Sequence, residues 1–123
     1  MTDMSQTIPT LSDDQCDEML TGGAIFPANS KRPCLLPEKM FDTELVGARS
    51  LLRFAFALGT VAGKGDYLSM DMIAPLIRGN GLLEPGTVRP FRHTEDMDGE
   101  QLDNVQALFT AAFELGKQSS TYN

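Results

Sequence analysis

Two stretches in which apolar residues recur at every third or fourth position constrain this chain more than anything else in it. The first opens near Asp42 or Thr43 and runs to Ala62, with Leu45, Ala48, Leu52, Ala55, Leu58 and Ala62 in register. The second runs from Asp98 to Lys117, with Leu102, Val105, Phe109, Ala112, Phe113 and Gly116 on one face and Leu108, Ala111 and Leu115 widening it. That period is helical and does not match the strict alternation of a half-buried strand. Leu51, Phe54, Phe56 and Val61 spread apolar character nearly all round the end of the first stretch, so that half is expected to be buried or covered by a partner.

Both stretches also carry small residues four apart: Ala55, Gly59 and Gly63 on one, Ala112 and Gly116 on the other. Glycine inside a helix costs about 1 kcal/mol relative to alanine, and close approach of two helix backbones accounts for its use. The two stripes are expected to face each other, within one chain or across a homodimer. These five residues are the candidate self-association set.

The helix ends are written in local chemistry. Ser12 and Gln15 have the spacing of a reciprocal cap before a helix ending near Leu20, and Leu11 is placed to staple against Cys16. Asp13, Asp14, Asp17 and Glu18 put negative charge where the helix dipole favours it, and Thr21-Gly22-Gly23 stops the helix. Cys16, Met19 and Leu20 form its narrow apolar stripe, and so short a helix is stable only when docked. Asp42 is the expected cap of the second helix, with Glu44 in its first turn, and Asp98 and Gln101 pair to cap the last. Between them, Asp66 to Arg78 reads as a third helix that Pro75 should kink or break. Leu82 to Arg92 reads as a loop, with a brief extended piece at Thr87-Val88-Arg89, and Gln118 to Asn123 as a fraying tail.

From Ile25 to Met40, Pro27, Pro33 and Pro37 deny regular structure, yet Ile25, Phe26, Leu35, Leu36 and Met40 are too many apolar residues for a free linker. This arm is expected to lie along the core. The fold class is therefore all-α, a small bundle of three to four helices with a Pro-rich irregular arm between the first and second. One domain is expected over 1–123: an acidic helical segment at 1–24, the arm at 25–41, a helical core at 42–117 and the tail at 118–123.

The charge is unevenly laid out. Residues 1 to 30 carry five acids and no Lys or Arg, residues 31 to 92 nine bases against six acids, and residues 93 to 123 six acids against one base, for a net charge of −7. A nucleic-acid binder concentrates cations where it meets phosphate, so the balance disfavours direct nucleic-acid binding and points to a protein partner. The longest apolar run lies between Arg53 and Lys64, well short of the roughly 20 residues a bilayer requires. No membrane association is expected. With no signal-like N-terminus the expected compartment is the cytoplasm, where Cys16 and Cys34 stay reduced.

No catalytic pattern stands out. Gly59 to Gly65 superficially suggests a phosphate loop, but its glycine spacing is short, Gly65 stands where a magnesium-holding hydroxyl belongs, and a helix precedes it. His93 is the only histidine and reads as a loop or pre-helix residue. Cys16, Cys34 and His93 have no metal-ligand spacing, and the acid pairs sit at helix starts or on solvated faces. No metal and no cofactor are expected.

The leading expectation is a non-enzymatic regulatory protein-binding module, a small inhibitor or antiactivator that masks a surface of a partner such as a transcription regulator or nucleic-acid-binding complex. Leu11, Cys16, Met19, Leu20, Ile25 and Phe26, in the short helix and the start of the arm, are the candidate partner-binding residues. A small enzyme or ligand binder with a pocket between the central helices and His93 beside an acid is the second class. Nucleic-acid binding through Arg78, Arg89 and Arg92 is the third.

Overall fold

The two long helices form as the periodicity requires, and they pair along their apolar faces. The structure, a computed structural model, describes residues 10–78, 83 and 88–120. In chain order it contains α1 (Asp13–Thr21), α2 (Asp42–Thr60), α3 (Met70–Arg78) and α4 (Gly99–Ser120), with single 3-10 turns at Pro37–Lys39 and Thr94–Asp96. The fold is all-α. Its nearest approach to a strand, among the described residues, is one isolated antiparallel bridge between Cys34 and Phe91.

The α2–α4 interface is the most extensive in the molecule. Leu52, Ala55 and Phe56 from α2 and Val105, Leu108, Phe109, Ala112 and Phe113 from α4 are all buried in it or beside it, and Phe91 meets Phe109 edge to face at 5.4 Å between ring centres. The small residues do what their spacing implied, within one chain. A Cβ on Gly59 would overlap the Phe113 carbonyl, and one on Gly116 would overlap the Phe56 carbonyl and come 3.1 Å from the Gly59 Cα. Ala55 and Ala112 are fully buried. Gly63 does not join them: it lies beyond the end of α2, exposed, in a turn closed by Asp66. The self-association reading of this set is therefore corrected, because the seam it describes is filled by the chain's own helices.

α1 begins at the expected cap. The Gln15 amide donates to Ser12 Oγ at 3.1 Å, the Ser12 amide donates to Gln15 Oε1 at 2.8 Å, and Gly22 ends the helix in the left-handed conformation at φ 76°. Asp98 and Gln101 make the same reciprocal pair at the head of α4, at 2.9 and 3.1 Å. At α2 the cap position falls one residue earlier than expected. Phe41 occupies it, its amide donating to Glu44 Oε1 at 3.1 Å, so Asp42 is the first helical residue.

Other boundaries moved for local reasons. α2 stops at Thr60, and Asp66 spends its carboxylate and amide on a turn with Gly63, so α3 begins at Met70 rather than Asp66. Pro75 does not break α3, which is one helix through Arg78. α4 continues through Gln118 to Ser120 where fraying was expected. Residues 79–82, 84–87 and 121–123, including Thr87 of the possible extended piece, lie outside the described residues.

The arm lies against the core, as its apolar content implied. Asn104, 3 % exposed in the second turn of α4, donates to Ser30 Oγ at 2.9 Å and to the Lys31 carbonyl at 2.7 Å, and Gln101 Nε2 donates to the Arg32 carbonyl. Lys31 pairs with Asp98 at 2.8 Å, which raises the lysine's pKa and lowers the carboxylate's. Arg32 reaches back to the end of α1, donating to the Thr21 carbonyl at 2.6 Å and to the Leu20 carbonyl, while its guanidinium lies 5.4 Å over the Phe26 ring. Orphan carbonyls at a helix C-terminus are thus met by a cation from the next segment.

Candidate functional site: a groove between the first and last helices

The docking of α1 fixes where the open surfaces fall. Arg49 and Arg53, one turn apart on α2, hold α1. Arg49 makes a two-pronged contact with Asp17, Nε to Oδ1 at 2.8 Å and an Nη to Oδ2 at 2.7 Å. Arg53 donates to the Leu11 carbonyl at 2.8 Å and meets Asp13 at 2.5 Å. The paired arginines lower the Asp13 pKa, with the Arg53 hydrogen bond the larger cause and the Arg49 charge the next. Paired planar groups of this kind fix orientation as well as charge.

Beneath those ion pairs, Leu11, Cys16, Met19 and Leu20 enter the core, with 1, 0, 9 and 0 % exposure. Leu11, Cys16 and Leu20 are therefore sealed by the chain itself and present no open surface. Ile25 and Phe26 are half-buried against the same core, and Phe26 packs on Gly22 under Arg32.

Two of the six candidate partner-binding residues, Met19 and Ile25, do line an opening. It is a groove of about 410 Å³ between α1 and α4. One wall is Gln15, Glu18 and Met19, successive neighbours on one face of α1, followed by Thr21, Gly23, Ala24 and Ile25 where the chain turns. The other is Ala111, Glu114, Leu115 and Gln118, which share a face of α4 by their three- and four-residue spacing. Gly23 and Ala24 add little bulk at the turn, which leaves the floor to Met19, Ile25, Ala111 and Leu115. Leu115 is 37 % exposed.

Carboxylates stand on the rim. Glu18 is exposed, and while its carbonyl accepts from the Thr21 hydroxyl, its carboxylate has no hydrogen-bond or ion-pair partner among the described residues. Glu114 has the Lys117 ammonium 3.7 Å away, but that ammonium also donates to the carbonyls of Lys64 and Asp66, which draws it toward the α2–α3 connection. An apolar floor edged by carboxylates suits an apolar segment carrying cations at its margins. Ala111 and Leu115 had registered only as a widening of the core face, and Glu18 only as a dipole partner. What would have marked them is their offset from the Phe109–Phe113–Gly116 line.

The second open region is more polar. Arg89, Phe91, Arg92, His93 and Asp96 border a shallow cleft of about 530 Å³, continuous in its lining with a smaller one formed by Arg32, Cys34, Glu44 and Gln101. His93 precedes the 3-10 turn as expected of a pre-helix residue. Burial pushes the Cys34 thiol up to about 11, against the smaller opposing effect of Arg32, so it is a protonated thiol at neutral pH and a poor nucleophile. The cations considered for nucleic acid are partly engaged: Arg78 pairs with Glu95 at 3.1 Å, and Arg89 donates to the Arg78 carbonyl. At Gly59 and Gly116 the α2 and α4 backbones meet, which leaves no room for a pocket at that point of the central pair.

No protein-family model, curated protein or solved structure matches the chain. Among the described residues, no helix is long and apolar enough to cross a membrane.

Proposed function

We propose that this chain is a non-enzymatic protein-binding module whose α1–α4 groove receives a short amphipathic segment with basic margins. The observation that carries the reading is the composition of that groove: Met19, Ile25, Ala111 and Leu115 form an apolar floor, and Glu18 and Glu114 stand on its rim. Basic amphipathic helices are common in proteins that contact nucleic acid. Covering one would let an acidic chain act as an inhibitor or antiactivator of a transcription regulator or a nucleic-acid-binding complex. The net charge of −7 would speed encounter with such a partner and disfavour acidic ones.

The test uses two labelled helical peptides with the same leucine face, one flanked by lysines and one by glutamates, read by fluorescence anisotropy. The lysine peptide should bind, the glutamate peptide should not, and Leu115→Lys should weaken binding at least about tenfold by placing a cation in the floor. Equal binding of both peptides, or binding unaffected by Leu115→Lys, would remove the groove as the site.

A further inference from the structure

Among the described residues, Arg92 is the one arginine whose side chain makes no polar contact within the fold. Arg32, Arg49, Arg53, Arg78 and Arg89 each engage a carboxylate or a backbone carbonyl, whereas Arg92 is exposed and has neither a hydrogen bond nor an ion pair. In a chain with 17 Asp and Glu against 10 Lys and Arg, carboxylates are not what is lacking. Arg92 lies where two clefts of about 530 and 360 Å³ join, and the lining they share includes Arg89, Phe91 and Arg92 but no carboxylate. His93 and Asp96 belong to the larger cleft, Arg32 and Glu44 to the smaller.

We propose that the junction of these clefts binds phosphate, either the free ion or the phosphate of a small monoester. The proposal goes beyond the α1–α4 groove and does not depend on it. The seat is anchored from below. Phe91 is 2 % exposed, packs on Phe109 and bridges through its backbone to Cys34, and Pro33 and Pro90 beside it are buried. Arg89 and Arg92 therefore project from a backbone fixed to the core, so less freedom is lost when they hold an anion. A guanidinium presents five N–H donors in a planar fork that matches phosphate oxygens. Arg92 has all of its donors available, and Arg89 commits one nitrogen, to the Arg78 carbonyl. Of the two carboxylates in the joined lining, Glu44 is 6 % exposed and already accepts from the Phe41 amide.

The same features favour a small ligand over a nucleic-acid strand. Single strands are held by stacking bases on exposed aromatic rings, and the one aromatic ring in this lining is sealed in the core. A polyanion would also meet the field of a chain that carries −7. A single phosphate among the arginines responds chiefly to charges within roughly 8 Å, the screening length at physiological salt. The larger cleft, at about 530 Å³, falls inside the roughly 300–1,000 Å³ typical of small-molecule sites.

Amide NMR of the full chain, titrated with inorganic phosphate at constant ionic strength, tests this. Signals of Arg89, Phe91, Arg92 and His93 should move saturably. Arg92→Gln should weaken binding at least about tenfold with unchanged circular dichroism, since Arg92 holds nothing else in the fold. Asp96→Asn should tighten binding by removing the exposed carboxylate from the lining. Lys39→Gln removes another exposed cation without an ion pair and should bind like the wild type, as should Leu115→Lys, which separates this site from the groove. Glycerol 3-phosphate titrated in parallel distinguishes a monoester site, where it binds more tightly, from a site for the free ion. Shifts that never saturate, or that survive Arg92→Gln, overturn the proposal, as does equal weakening by Lys39→Gln, which would reduce the effect to net charge. Tighter binding of succinate than of phosphate would overturn phosphate as the group recognised, and displacement of phosphate by a short single-stranded oligonucleotide at lower concentration than glycerol 3-phosphate would overturn the small-ligand class.

Discussion

At the scale of single residues, two glycines set the distance between the two main helices. Gly59 and Gly116 lie where a Cβ would overlap the opposing carbonyl of Phe113 or Phe56. Alanine would favour an isolated helix by about 1 kcal/mol, yet here it must push two backbones apart. Overpacking of this kind typically costs 1–3 kcal/mol and sometimes more. Gly59→Ala and Gly116→Ala should therefore each destabilise the fold by about 2 kcal/mol in urea denaturation, against the intrinsic preference. Gly63→Ala provides the contrast, since its Cβ would meet only Asp66 Oδ2 at 3.4 Å, and its effect should stay within about 0.5 kcal/mol. Gly59 and Gly63 are four apart in sequence, the spacing that Ala112 and Gly116 repeat. Only the end of α2 at Thr60 separates the two working positions from the third.

At the scale of elements, α1 is the instructive case. Nine residues are too few to hold a helix alone in water. Its stripe is buried, Arg49 and Arg53 bind its acids, and Arg32 closes its C-terminus. Arg32→Ala should cost about 1–3 kcal/mol and speed amide exchange in α1 before other helices. Arg32→Lys should recover only part of this, because one ammonium cannot reach the several carbonyls that the guanidinium spans. The attachment should also respond to acid. The folded Asp13 pKa lies below the ordinary 3.8, so its contribution is complete above pH 3.8 and is lost as pH falls through the lower, folded value. Carboxyl-carbon NMR should show Asp13 titrating below 3.8, and Arg53→Gln should move it back toward that value. The cap boxes of α1 and α4 were readable because each involves residues three apart. The start of α3 was not, because the Asp66 side chain closes a turn with Gly63 instead of capping a helix.

At the scale of the whole molecule, the charge layout is largely an internal design. Arg49 and Arg53 join the basic middle to the acidic N-terminal helix, and Lys31 with Asp98 and Arg78 with Glu95 join it to the acidic C-terminal part. The uneven distribution, which alone pointed outward to a partner, is first of all a set of contacts within the chain. What remains for a partner is the excess of carboxylates, some of it on the groove rim at Glu18 and Glu114. The proposed preference of the groove for a lysine-flanked over a glutamate-flanked peptide should accordingly narrow as salt is raised, while the contribution of the apolar floor persists. Of the proposed partner-binding residues, Met19 and Ile25 line that groove, whereas Leu11, Cys16 and Leu20 are consumed by the core.

The amino-acid sequence by itself determined the helices, most of their caps and the close contact of the glycine stripes, because each depends on residues a few positions apart or on one repeating face. It also foretold that the arm would lie on the core, since its apolar side chains had to leave water. Only the tertiary structure decided that Arg49 and Arg53 face α1, that the stripes meet within one chain, and that Met19 rather than Leu20 reaches an opening. Those outcomes depend on which elements share a neighbourhood, as when Asn104 draws in Ser30 and Lys31 from far along the chain. A periodic pattern records that a face must be covered; the packing of the whole chain settles what covers it.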